Sequence, residues 1–142
     1  GSFPAAIAAG LDARSRALVL LLSGGDVIDV IENGQKDAAK FRAALESRGI
    51  DADERARLIA HLEPLRVAHR LNRQTTWLLG ARNDTVIPAA NARALADAIG
   101  LDETRYIQLN GNHYTASVAL PAVADLIVRI AEADDPATLD AP

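Results

Sequence analysis

Three short strand-like runs, the first of them wholly apolar and each closed by a loop rich in glycine, asparagine, aspartate or serine, divide this chain, and the stretches between them carry helical spacing. Residues 17–22 run into Ser23-Gly24-Gly25-Asp26, residues 75–79 into Gly80-Ala81-Arg82-Asn83-Asp84, and residues 105–109 into Asn110-Gly111-Asn112-His113. A brief apolar run bounded by turn residues fits a strand covered on both faces, as parallel strands are. Strands alternating with helices predict an α/β fold: a three-stranded parallel sheet with flanking helices. Right-handed connections between consecutive units place the strands in chain order, with 75–79 in the centre.

The connecting segments carry their own start and stop signals. A helix over 88–99 opens at Pro88 and stops at Gly100. A last helix over about 116–133 has Val118, Ala122, Leu126, Ile127 and Ile130 spaced for one face against the sheet. Residues 35–71 hold two or three helices: Phe41, Ala44 and Leu45 share a face, Arg48-Gly49 ends the first, and Asp51-Ala52-Asp53-Glu54 has capping-box spacing for the next. Pro64 breaks that second helix. Residues 3–9 form an Ala-rich stub resembling the back half of a helix, with Gly10 suited to its stop. The whole reads as one partial domain over 1–142, with a helical excursion at 34–73 and a frayed polar tail at 134–142.

Composition removes several classes of function. With 49% hydrophobic and 24% charged residues the chain can build a globular core. A net charge of -4 without any basic cluster argues against nucleic acid and anionic membrane as partners. No cysteine is present, so disulfides and thiolate metal sites are excluded, and the 3 histidines are too scattered for a zinc cluster. No cofactor or metal is expected. No apolar run is long enough to span a bilayer, and a cytoplasmic location is the plain expectation. The opening Gly1-Ser2 and the absence of methionine are what a piece cut from a longer protein would show.

Reactive groups of an open parallel sheet gather at the carboxyl edge of its strands. Asp84 and His113 lie there, in the loops after neighbouring strands. A carboxylate beside an imidazole can hold the Nδ1–H, fix the tautomer and stabilise the imidazolium formed when Nε2 takes a proton. Each residue also has an ordinary structural role open to it: Asp84 as a turn or helix cap, His113 as a loop residue satisfied by backbone. Their joint placement favours an orienting acid and a general base.

Residues 76–88, Thr-Trp-Leu-Leu-Gly-Ala-Arg-Asn-Asp-Thr-Val-Ile-Pro, resemble the strand and acid loop of the α/β-hydrolase superfamily. Residues 106–114 resemble its last strand and histidine loop, and 121–130 its closing helix. Residues 17–26 and Leu62-Glu63-Pro64-Leu65 look like the esterase and dienelactone-hydrolase-like branch. The resemblance implies a serine hydrolase acting on an ester or related acyl bond, with Asp84 as the acid and His113 as the base of its triad. Asn112 departs from the family's usual glycine before the histidine, but asparagine tolerates left-handed backbone.

In that family the nucleophile sits on a G-x-S-x-G turn, which is absent here. The stub at 3–9 resembles the helix after that turn, placing the missing serine just before residue 1. Ser2 lacks a strand to hold it, and Ser23 lies where the family places no nucleophile. Asp26 is a second acid candidate whose plainer role is a cap. His61 and His69 fall on helical stretches. The expectation is therefore a C-terminal hydrolase fragment, inactive alone, whose complete form takes a small-molecule ester. Its open first strand would pair with a second copy, or with the missing N-terminal portion. The alternative is a non-catalytic α/β module for binding or assembly.

Overall fold

The computed structural model describes residues 2–12 and 14–139. The order is α1 (Ser2–Leu11), β1 (Leu18–Leu21), α2 (Val27–Asn33), α3 (Asp37–Glu46), α4 (Ala52–Ile59), β2 (Thr76–Ala81), α5 (Ala89–Ile99), β3 (Tyr106–Leu109) and α6 (Leu120–Glu132). The strands form one parallel sheet in the order β1-β2-β3. This is the α/β architecture that the three strand-like runs predict, with the middle run at the centre. Every residue of β2 is buried.

Register sorts the strand side chains into two faces. Leu20 pairs with Leu78 and Leu78 with Tyr106, so the three share a face, and α1 and α5 cover it with Ala6, Ala92, Leu95, Ala96 and Ile99. Val19, Trp77, Leu79 and Ile107 share the opposite face under Val123, Leu126 and Ile130 of α6. Small side chains on α1 and α5 let the first layer lie close. At Gly24, after β1, an added Cβ would stand 2.9 Å from the backbone carbonyl carbon of Asn91, so α5 can approach this turn only while residue 24 has no side chain.

Local signals explain most boundaries. Asp51 accepts a hydrogen bond from the Glu54 amide at 2.9 Å, as the capping spacing predicts. Gly100 ends α5 with φ of 80°, a left-handed stop. Short 3-10 turns, not a continuous helix, occupy Ala60–Leu62, Pro64–Arg66 and Ala68–Arg70 around the Pro64 break. Helix α2 is new to the structure: its Asp26 cap accepts from the Asp29 amide, while the Glu63 carboxylate takes the amides of Asp26 and Val27 at 3.1 and 2.7 Å.

Two expectations are corrected. The buried stripe of α6 is Val123, Leu126 and Ile130; Val118 is 83% exposed and Ile127 49% exposed. Residues 115–119 form a 3-10 turn, so Val118 does not share the periodicity of the helix that follows. The tail is not frayed over 134–139: Pro136 is buried, Leu139 packs on the Trp77 cluster, and Arg105, stacked 4.3 Å from the Trp77 ring, donates to the Ala137 carbonyl. The remainder of the expected tail, 140–142, lies outside the described residues. Among the described residues no helix is long and apolar enough to cross a membrane.

The α6 assignment is testable in urea. Leu126→Ala, which empties a fully buried site, is expected to cost about 3 kcal/mol, and Ile127→Ala under about 1 kcal/mol. Equal losses would contradict the packing described.

Candidate active site

The carboxyl edge of the sheet brings Asp84 and His113 into contact. Past the last paired residues the two loops stay joined, because Arg82 donates to the Leu109 carbonyl and Asn83 to the Gly111 carbonyl at 3.1 and 2.9 Å. Asp84 follows at once. Its Oδ1 accepts from the amides of Val86 and Ile87 at 2.8 and 3.0 Å, holding the turn into α5. Its Oδ2 lies 2.8 Å from His113 Nδ1. A carboxylate only accepts, so the ring must present Nδ1–H to it, leaving Nε2 as the basic nitrogen. The Asp84 side chain is 2% exposed and that of His113 27%. The acid is thus sealed while the base reaches a surface.

The histidine loop is held by a reciprocal pair. Asn112 Oδ1 accepts from the amides of Tyr114 and Thr115, and Thr115 Oγ1 accepts from the Asn112 amide at 2.8 Å. The left-handed position in this loop is Gly111, at φ of 119°, and not Asn112. Asn112 therefore closes a side-chain-to-backbone turn in the loop, a physical role different from the backbone tolerance that its position before the histidine implies.

His113 faces a cavity of about 570 Å³. Its wall is built from the start of α1, the end of β1, helices α2 and α3, and the turn between β2 and α5, and Ser2 and Phe3 at the head of α1 belong to it. Ser2, set aside from sequence for want of a strand to position it, shares a cavity with His113 because α1 packs on β1 and the 60–70 turns. No hydrogen bond joins the two side chains. Ser23 is fully buried with its hydroxyl unpartnered among the described residues, and it is not among the residues that line this cavity. Asp26 is exposed and caps α2. His61 and His69 are exposed on 3-10 turns. Among the described residues no cluster of His, Asp and Glu has the makings of a metal site.

Several residues here carry no sequence signal. Leu22, on the cavity wall, has φ of 51°, and Asp26 and Lys36, which start α2 and α3, have φ of 52° and 53°. Left-handed backbone at branched or long side chains is costly and persists only where surroundings enforce it. Beside His113, Tyr114 donates to Asp37 Oδ2 at 2.7 Å, while Lys40 donates to Asp37 Oδ1 at 2.9 Å. Lys36 Nζ lies 4.7 Å from the Tyr114 ring centroid. This cluster ties the histidine loop to α3. The Lys40 bond first, then the Tyr114 bond, holds the Asp37 carboxyl below its ordinary range, and the bond to Asp37 raises the Tyr114 hydroxyl.

No protein-family model matches the sequence, and no curated protein matches it.

The Asp37 cluster predicts a pH response. Its carboxyl is lowered on folding, so the stabilisation is complete above the ordinary aspartate range and is lost as pH falls through the lowered value. Followed by carbon NMR of the side-chain carboxyl, Tyr114→Phe should raise the Asp37 titration point and Lys40→Ala should raise it further. An Asp37 titration unmoved by Tyr114→Phe would contradict the hydrogen bond.

Proposed function

We propose that this chain carries serine-hydrolase chemistry of the α/β-hydrolase kind, acting on an ester or related acyl bond. The observation that carries this reading is the Asp84 Oδ2 to His113 Nδ1 contact of 2.8 Å, in a histidine that lines the same cavity as Ser2. His113 is the general base, Asp84 its orienting acid, and Ser2 the nucleophile. The nucleophile is where this reading departs from the expectation of a fragment without one.

The chemistry follows from placement. Ser2 Oγ attacks the acyl carbon as His113 Nε2 takes its proton, and Asp84 stabilises the imidazolium without itself being protonated. Negative charge collects on the former carbonyl oxygen. The first-turn amides of a helix have no partner within it, so those at the head of α1, including that of Phe3, are available to that oxygen, and the helix dipole favours negative charge there. His113 then returns the proton to the leaving alcohol, and water repeats the cycle to free the acid. The lack of a direct Ser2 to His113 bond is compatible with this, since catalytic hydrogen bonds often tighten only when substrate binds.

The test is a fluorophosphonate probe followed by peptide mass spectrometry on the full chain. Stoichiometric labelling is expected at Ser2, with the rate reduced about a hundredfold or more by His113→Ala and unchanged by His61→Ala or His69→Ala. Labelling at another serine, or labelling of Ser2 indifferent to His113, would overturn the assignment. No labelling at all would favour the non-catalytic α/β module.

A further inference from the structure

We infer that the cavity behind His113 is an acyl-chain subsite, and that the chain's substrates are esters of uncharged, medium-length aliphatic acids. The inference rests on the proposed roles of Asp84 and His113, and adds to them the class of acid whose esters are cleaved. Its size, about 570 Å³, is in the range that buries most of a small ligand.

Charge decides between kinds of acyl group. Val27, Val30, Ile31, Val86 and Ile87 form a buried wall of branched apolar side chains. Among the described residues no lysine or arginine lines the cavity, so an acyl group ending in a carboxylate would lose its water and gain no cationic partner. The carboxylate of Asp37, which does line it, only accepts hydrogen bonds and so gives such a group no donor. Nor does Asp37 select a cationic group, because Lys40 and Tyr114 already occupy its two oxygens. What remains is an uncharged chain, whose transfer from water onto this wall is favourable at every methylene.

The rim agrees with the wall. Phe41 and Leu62 line the cavity and are nonetheless 49% and 47% exposed, so two large apolar side chains stand in water at its edge. A chain passing between them would bury surface that the protein alone leaves wet. His113, also partly exposed, places the reacting carbonyl at the head of that chain.

The test uses linear alcohols as probes that need no catalysis, titrated calorimetrically into the Ser2→Ala chain. From butanol through hexanol to octanol, affinity is expected to rise about fourfold per methylene, the ratio set by about 0.8 kcal/mol. Octanoate should bind at least tenfold more weakly than octanol. Phe41→Asp or Leu62→Asp should lower octanol affinity about tenfold, whereas Val118→Asp, at an apolar residue outside the cavity, should not. Affinity independent of chain length, octanoate binding as well as octanol, or equal loss in Val118→Asp would overturn the inference. Its failure is distinguishable from failure of the hydrolase reading: graded alcohol binding without fluorophosphonate labelling removes the chemistry and leaves the subsite. Labelling without graded binding does the reverse.

Discussion

One carboxylate, that of Asp84, joins the structural and the chemical halves of this molecule. Its first oxygen closes the turn between β2 and α5 by taking two amides, and its second holds the imidazole of His113. Both duties are performed at a site sealed from water, where leaving either partner unpaired would cost the desolvation of a polar group. The ring's orientation is therefore set by the turn into α5, and that turn by β2, whose six residues are all buried at the centre of the sheet. An imidazole held this way is tied to the buried centre of the sheet, the kind of support that a positioned functional group needs.

The cavity is made from more loosely held parts and is kept in place by polar ties of long reach. Glu63 fastens the turns before β2 to the loop after β1 through the amides of Asp26, Val27 and Leu65. Arg55, buried in α4, pairs with Glu32 of α2 at 2.7 Å and donates to the Ile50 carbonyl, which fastens α4 of the excursion to α2. Tyr114 ties α3 to the histidine loop through Asp37. Together these bonds hold helices with few buried residues of their own around a space beside His113.

Features governed by short-range chemistry were legible in the chain. The three strands, their order, the Asp51 cap, the Gly100 stop and the meeting of Asp84 with His113 all follow from apolar runs, turn residues and the geometry of parallel strands. Features that depend on what a segment packs against were not. Leu126 and Ile130 of the expected α6 stripe are buried, but Val118 falls in a 3-10 turn outside the helix, and which neighbour of Leu126 shares the buried face depends on how the helix is rotated against the sheet. Helix α2 spans only seven residues, and its amides are held by a carboxylate far away in the chain. The 134–139 tail is polar in composition yet fastened by Arg105, whose partner is a backbone carbonyl. Ser2 was discounted for lacking a strand of its own, but a helix laid across β1 brings it to the cavity all the same.

The central claim is that Asp84 selects the His113 tautomer, leaving Nε2 free to take a proton at the cavity. Nitrogen-15 NMR of the imidazole, recorded above the pH at which the ring is protonated, reads this directly. The account predicts that His113 carries its proton on Nδ1, with a hydrogen-bonded proton resonance far downfield, and that Asp84→Ala abolishes that resonance and lets the ring revert to a mixture. Finding the proton on Nε2 in the unaltered chain, or the same spectrum with and without the Asp84 carboxylate, would contradict it.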